Sequence, residues 1–337
     1  MQGGRIMILD SIRPVITSGL EHIKIRQDKI PGFIQEYGAD ISKFDISRWL
    51  YLTPNRLSAP SRIPNLIFLF NTINFCYWPD KDEKQRWTVP HQETDEKLTS
   101  SEALWYCLAC NKEKGISYTP EYLANLSLAS LQKNLKGNHG KIPLIQERLQ
   151  ILNSLGQSIL NNKWSFAESL SESIEEKSAM HFIMGLLSYC GNCFEDWTWI
   201  YQINIGSMFL KRAQLICHML WMYYWTKYNI SIWDDVQELT ICADYKIPQI
   251  MRHFGLLEYS KELAPLVDNK IEIPAKSRME VEIRSATIWL GELIKQEFHK
   301  QGQTKVNAIH VDDWFWRTAR KIENTMLPHH RTITAWY

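Results

Sequence analysis

The stretch TICADYKIPQIMRHFG, residues 240–255, places one carboxylate among apolar neighbours. Asp244 follows Ile241, Cys242 and Ala243 and precedes Tyr245, Ile247 and Pro248. An ionised carboxylate in such surroundings needs a partner, a shifted pKa or a chemical task. One reading is a cap on the short helix that Pro248 opens and Gly255 closes. The other is a buried anion that stabilises a developing cation or activates water. The residue types leave both readings open.

Three further clusters carry polar groups beside apolar ones. FLKRAQ (209–214) sets Lys211 and Arg212 just ahead of an apolar helical run. Either they end a helix with their stems on its surface, or one of them holds a phosphate. HVDDWFWR (310–317) sets Asp312 and Asp313 against Trp314, Phe315 and Trp316. Acids there can open a helix, or can accept the N–H edge of a base stacked on a ring. RMEVEIR (278–284) places Glu280 and Arg284 four apart, the spacing of a structural ion pair on a helix.

Other chemistries lack their motifs. No G-x-S-x-G, Walker A, G-x-G-x-x-G or H-E-x-x-H occurs. Two C-x-x-C pairs, Cys107/Cys110 and Cys190/Cys193, have the spacing of zinc ligands. CLAC, however, falls inside a helical pattern with Leu108 and Ala109 between its cysteines, and a long stretch separates the pairs. Buried thiols are the simpler reading, and neither a metal nor a cofactor is expected. The net charge of +1 with no basic stripe argues against a nucleic-acid polymer, though not against a small anionic ligand. The 14 Trp and 14 Tyr supply faces on which a planar heterocycle can stack.

These residues need a scaffold, and helical signals dominate it. Helices are expected over 118–137, from Thr119 and Pro120 to Gly137, and over 142–160, 207–225, 248–255 and 277–298. Strand signals are confined to 86–89, 197–205 and 331–336, and 79–101 reads as a loop. No repeat or linker divides the 337 residues, so the expectation is a single, mainly α-helical domain over 1–337 with a few short strands. The N-terminus has no secretory pattern, and the longest apolar run, 215–225, is too short to span a bilayer. An odd count of seven Cys without a signal points to reduced thiols and a cytoplasmic setting.

NTINFCYW (71–78), IPLIQERLQIL (142–152), FLKRAQ (209–214), ADYKIPQIMRHFGLLEYS (243–260), EVEIRSATIW (280–289) and PHHRTITAWY (328–337) follow one another in family order. Through them the chain resembles the queuosine salvage proteins over nearly its whole length. ADYKIPQ together with EVEIR is the specific signature. The resemblance implies an all-helical fold related to DNA glycosylases without their DNA-binding elements. It also implies hydrolysis of the N-glycosidic bond of queuosine 5'-monophosphate, releasing queuine for reuse in tRNA. In that setting Asp244 is the catalytic acid beneath the sugar, and Lys211 holds the 5'-phosphate. Asp312, with Asp313 beside it, reads the guanine-like edge. Trp314, Trp316, Phe75 and Trp78 supply stacking surface, and Asn71 and Cys242 adjoin the base. The substrate is then a small nucleotide, with no membrane and no obligate protein partner. The chain departs from the family pattern at Leu50, Asn71, Cys242, Lys246, Asp313 and Arg317. The alternative is a non-catalytic or altered-specificity member that binds a modified base or nucleotide.

Overall fold

The computed structural model describes residues 8–53, 62–78, 85–94, 96–200 and 204–337, with the backbone alone for Glu113. Fifteen α-helices and six short strands follow one another among these residues, as a mainly α sequence requires. The strands pair in antiparallel twos: Ile23–Ile25 with Leu257–Tyr259, Thr88–Pro90 with Lys97–Thr99, and Trp197–Ile200 with Ile205–Met208. The chain forms two compact units. One holds the residues up to Asp45 with Asp196–Gln214 and Asp234–Thr334; the other holds Ile46–Glu195, Leu215–Trp233 and Ala335–Tyr337.

The first unit is organised by the helix Arg278–Lys300. Ser277 starts it, its hydroxyl accepting the N–H of Glu280. Val281, Ile288, Ile294 and Phe298 are among its buried positions. Helices Ile8–Thr17, Ile30–Ile41, Lys246–His253 and Ala308–Lys321 pack against it. Gly291 has a packing role in this helix. A Cβ there would lie 2.6 Å from Cδ1 of Ile241, so the missing side chain seats the segment that leads to Asp244.

The helix expected from Pro248 starts at Lys246 instead. Pro248 thus occupies the first turn, where its missing N–H leaves no helical bond unmade. Gly255 ends the turn with φ of +65°. The helix expected over 207–225 runs from Lys211 to Tyr228, because 205–208 is drawn into the hairpin with Trp197–Ile200. Residues 201–203 lie outside the described residues.

In the second unit the helix expected over 118–137 is two helices, Pro120–Ala124 and Leu128–Asn134, capped by Thr119 and Ser127. The break has a tertiary cause. Gly156, on helix Ile145–Asn162, lets that helix approach so closely that a Cβ would lie 2.3 Å from the N of Ala124. Asn153 of the same helix donates to the carbonyls of Leu123 and Leu126 at 2.7 and 3.1 Å, replacing helical bonds. The expected loop 79–101 contains the hairpin of Thr88–Pro90 and Lys97–Thr99, while 79–84 and 95 lie outside the described residues. Of the strand expected at 331–336 only a bridge between Arg331 and Glu272 forms.

Candidate active site

Asp244 lies two residues ahead of helix Lys246–His253. Its Oδ1 accepts the N–H groups of Lys246 at 2.7 Å and Ile247 at 3.0 Å. The carboxylate therefore caps the helix, as one reading of the sequence holds. That uses one oxygen; Oδ2 accepts no hydrogen bond among the described residues. Asp244 keeps some solvent access, yet loss of hydration still dominates its proton affinity. Burial raises its pKa above the ordinary carboxylate range, opposed chiefly by the charge of Lys211 and reinforced by that of Asp312.

Lys211 is the first residue of helix Lys211–Tyr228 and is 4% exposed, so its ammonium is not at a solvated helix end. Burial lowers its pKa, while Asp244, Cys242 and Asp312 act to raise it. Asp312 comes from helix Ala308–Lys321, which starts on a reciprocal cap between Asn307 and His310. Its Oδ1 accepts the N–H of Cys242 at 2.8 Å. The thiol of Cys242 in turn donates to the carbonyl of Lys211 at 3.6 Å. Lys211, Cys242, Asp244 and Asp312 thus come together around residues 242–244.

The neighbours on the helix are placed differently. Asp313 is one position on, about 100° around the helix from Asp312. Its Oδ2 accepts the N–H of Asp45 at 3.1 Å and Nε of Arg317 at 2.7 Å. Burial pushes its pKa up to about 6 against the pull of Arg317. Trp314 is buried among Phe33, Tyr37, Phe254 and Phe315, with ring centroids 5.3 to 5.7 Å apart. Trp316 is half-buried. The ammonium of Lys246 turns to Glu323, 2.6 Å from Oε1.

Asn71, Phe75 and Trp78 belong to the second unit and are buried there. Nδ2 of Asn71 donates to the carbonyl of Ile67 at 3.0 Å, and its Oδ1 accepts from Asn74 at 3.2 Å. The ring of Phe75 lies 4.2 Å below the guanidinium of Arg148. The C-x-x-C pairs are also in this unit, on helices Ser100–Glu113 and Ala179–Phe194. Burial pushes the thiols of Cys107 and Cys190 up to about 12.

One residue carries more of the site's framework than its local sequence shows. Arg284 makes its closest ion pair with Asp196, at 2.6 Å, while Glu280, the partner expected from spacing, stands at 3.7 Å. The only local signal at Asp196 is an acid beside Trp197 and Trp199 with no cation within four residues.

The family model for queuosine salvage protein matches residues 53–337. The chain belongs to the queuosine salvage protein family. Among its relatives is a protein of Sphaerobacter thermophilus named queuosine 5'-phosphate N-glycosylase/hydrolase, 28% identical over 341 residues, which are 99% of each chain. Proteins of the same name from Dictyostelium discoideum and Bos taurus are 28% and 29% identical. The first alignment spans 80% of this chain and 77% of the relative; the second spans 81% of each. The queuosine salvage match includes the whole Lys211, Cys242, Asp244 and Asp312 cluster, as well as Asn71, Phe75 and Trp78. No helix among the described residues is long and apolar enough to cross a membrane.

Proposed function

We propose that this chain hydrolyses the N-glycosidic bond of queuosine 5'-phosphate, with water adding to C1' of the ribose and the base leaving as queuine. Departure of the base builds positive charge on the sugar. A carboxylate that is poorly hydrated before reaction is well placed to stabilise that charge, because no solvent has to be rearranged as it develops. Asp244 is that group. Its Oδ1 is committed to the helix and Oδ2 is left for the sugar or the attacking water. The same raised proton affinity suits it to take a proton from that water.

Queuine is a 7-deazaguanine and lacks the N7 that purines protonate on departure. Activation then rests on contacts to its polar edge, for which Asp312 supplies the acceptor. Lys211, sharing the cluster, supplies the cation for the 5'-phosphate. Cys242, whose N–H is held by Asp312, adjoins the base, and Trp316 supplies apolar ring surface. The reaction needs no cofactor, and seven free, buried thiols suit a cytoplasmic setting. The observation that carries this reading is the convergence of Asp244, Asp312 and Lys211 around residues 242–244, where Asp312 accepts the N–H of Cys242 and the Cys242 thiol reaches the carbonyl of Lys211. Incubation with queuosine 5'-phosphate should yield queuine and ribose 5-phosphate in equal amounts by mass spectrometry. Saturable binding with no release of base would overturn the catalytic reading.

A further inference from the structure

We propose that Arg284 and Asp196 are a positioning pair that sets Asp244 and Lys211 relative to each other. The proposal rests on the catalytic reading above for its effect on rate, and on geometry alone for the positioning itself. The guanidinium of Arg284 donates from Nη1 and Nη2 to both oxygens of Asp196, at 2.8 and 2.6 Å. Its third edge, Nε, donates to the carbonyl of Ala243 at 3.2 Å, the peptide group immediately before Asp244. Asp196 Oδ2 meanwhile accepts the backbone N–H of Lys211 at 3.1 Å. One rigid, planar group therefore links the peptide that carries the acid to the helix start that carries the cation.

The pair also restrains an unfavourable backbone. Leu210 has φ of +50°, a conformation disfavoured for a branched side chain, immediately before Lys211. The carbonyl of Asp196 accepts the N–H of Phe209 at 2.8 Å and that of Leu210 at 3.4 Å, which holds the chain through this turn. The guanidinium carbon lies 3.9 Å from the centre of the Phe209 ring, which packs against it. Arg284 and Asp196 are 2% and 3% exposed, so water does not compete for these bonds. A lysine cannot replace this arrangement, because an ammonium offers no flat fork to serve two carboxylate oxygens and a carbonyl together.

The test uses Arg284→Lys, which keeps the charge and removes the fork, with Asp196→Asn as a second variant. Two readouts are taken on folded protein. In single-turnover release of queuine, Arg284→Lys should lose on the order of 10²-fold in rate, with nucleotide affinity little changed, as for an ångström-scale misplacement of the acid. Carboxyl-labelled aspartate NMR, with Asp244 assigned by its absence in Asp244→Asn, reads position without activity. Charge being conserved, the Asp244 titration should move down toward the ordinary carboxylate range in Arg284→Lys as the segment gains water. An unchanged or higher titration would overturn the positioning role, as would a wild-type rate in either variant. Inactive wild-type protein would overturn the catalytic reading alone, since the titration still decides the positioning. Should neither variant fold, hydrogen exchange of the wild-type protein decides. The amides of Lys211 and Asp244 should exchange only through global unfolding, and rapid exchange at either overturns the proposal.

Discussion

Oδ1 of Asp244 accepts the N–H of Ile247 at 3.0 Å, so the acid proposed for catalysis is also the cap of its own helix. It takes the N–H of Lys246 on the same oxygen. The capping role and the proposed chemical role therefore fall on different oxygens of one carboxylate, and Asp244→Asn separates them. Asparagine can keep its carbonyl oxygen on both N–H groups and caps about as well as aspartate, so thermal stability should change little. The negative charge is lost, and single-turnover release of queuine should slow by roughly 10² to 10³, or more if Asp244 also activates water. The wild-type rate should fall as pH drops through the raised pKa of Asp244, and this limb should vanish in the variant. A stable Asp244→Asn protein with near wild-type turnover would remove Asp244 from the mechanism.

Lys211 carries a prediction about substrate choice. It is buried beside Asp244 and Asp312, and a phosphate that replaces its lost hydration is held by a charge-assisted bond. In the proposed reaction, binding energy of this remote kind would align the sugar over the acid. Lys211→Met should therefore reduce kcat/KM for queuosine 5'-phosphate far more than for the free nucleoside. Equal losses on the two substrates would place the phosphate elsewhere.

Asp313 makes stability depend on pH. Its pKa is pushed up to about 6 in the folded chain, so the folded state holds a proton that the unfolded chain releases near 3.9. The stabilisation this gives is fully present below about pH 4 and is lost as pH rises through 6. Its size is on the order of 2–3 kcal/mol. Both hydrogen bonds to Asp313 end on Oδ2, so Asp313→Asn can keep both through its carbonyl oxygen. Urea midpoints measured from pH 4 to 8 should show the variant gaining on the wild type as pH rises. Parallel curves would mean that Asp313 titrates normally.

Arg148 is expected to hold the second unit together. It is fully buried and donates from Nε to the carbonyl of Pro143 at 3.1 Å and from Nη2 to that of Cys76 at 2.8 Å. It also donates to the carbonyls of Ile73 and Phe75. Arg148→Met removes the donor these carbonyls share, and each buried acceptor left unpaired costs about 1–3 kcal/mol. The variant should lose several kcal/mol in chemical denaturation. Arg148→Lys should recover little, because one ammonium cannot reach carbonyls spread along a planar fork. A midpoint within error of wild type for Arg148→Met would show that the acceptors find other donors.

What the sequence determined by itself was local. Helix starts at Thr119 and Ser277 are legible because a cap and the N–H it serves lie within three residues. Gly255 ends its helix as expected, because only the local backbone conformation is at issue there. Asp244 and Lys211 stood out because each breaks the apolar pattern around it, and the family was legible because its signatures are contiguous runs. The tertiary structure alone decided the partners. Asp312 meets the backbone of Cys242 across 70 residues, and Arg284 prefers Asp196 across 88 residues to Glu280 four away. Glu282, in the same short run as Glu280, accepts the N–H of His22 from 260 residues away. It also decided that Asp313, adjacent to Asp312, turns to Asp45 and Arg317 instead of the cluster. The physical reason is common to these cases. Periodicity and capping fix which face a residue occupies, but a buried charge takes whichever partner the packing of other elements brings within hydrogen-bonding distance.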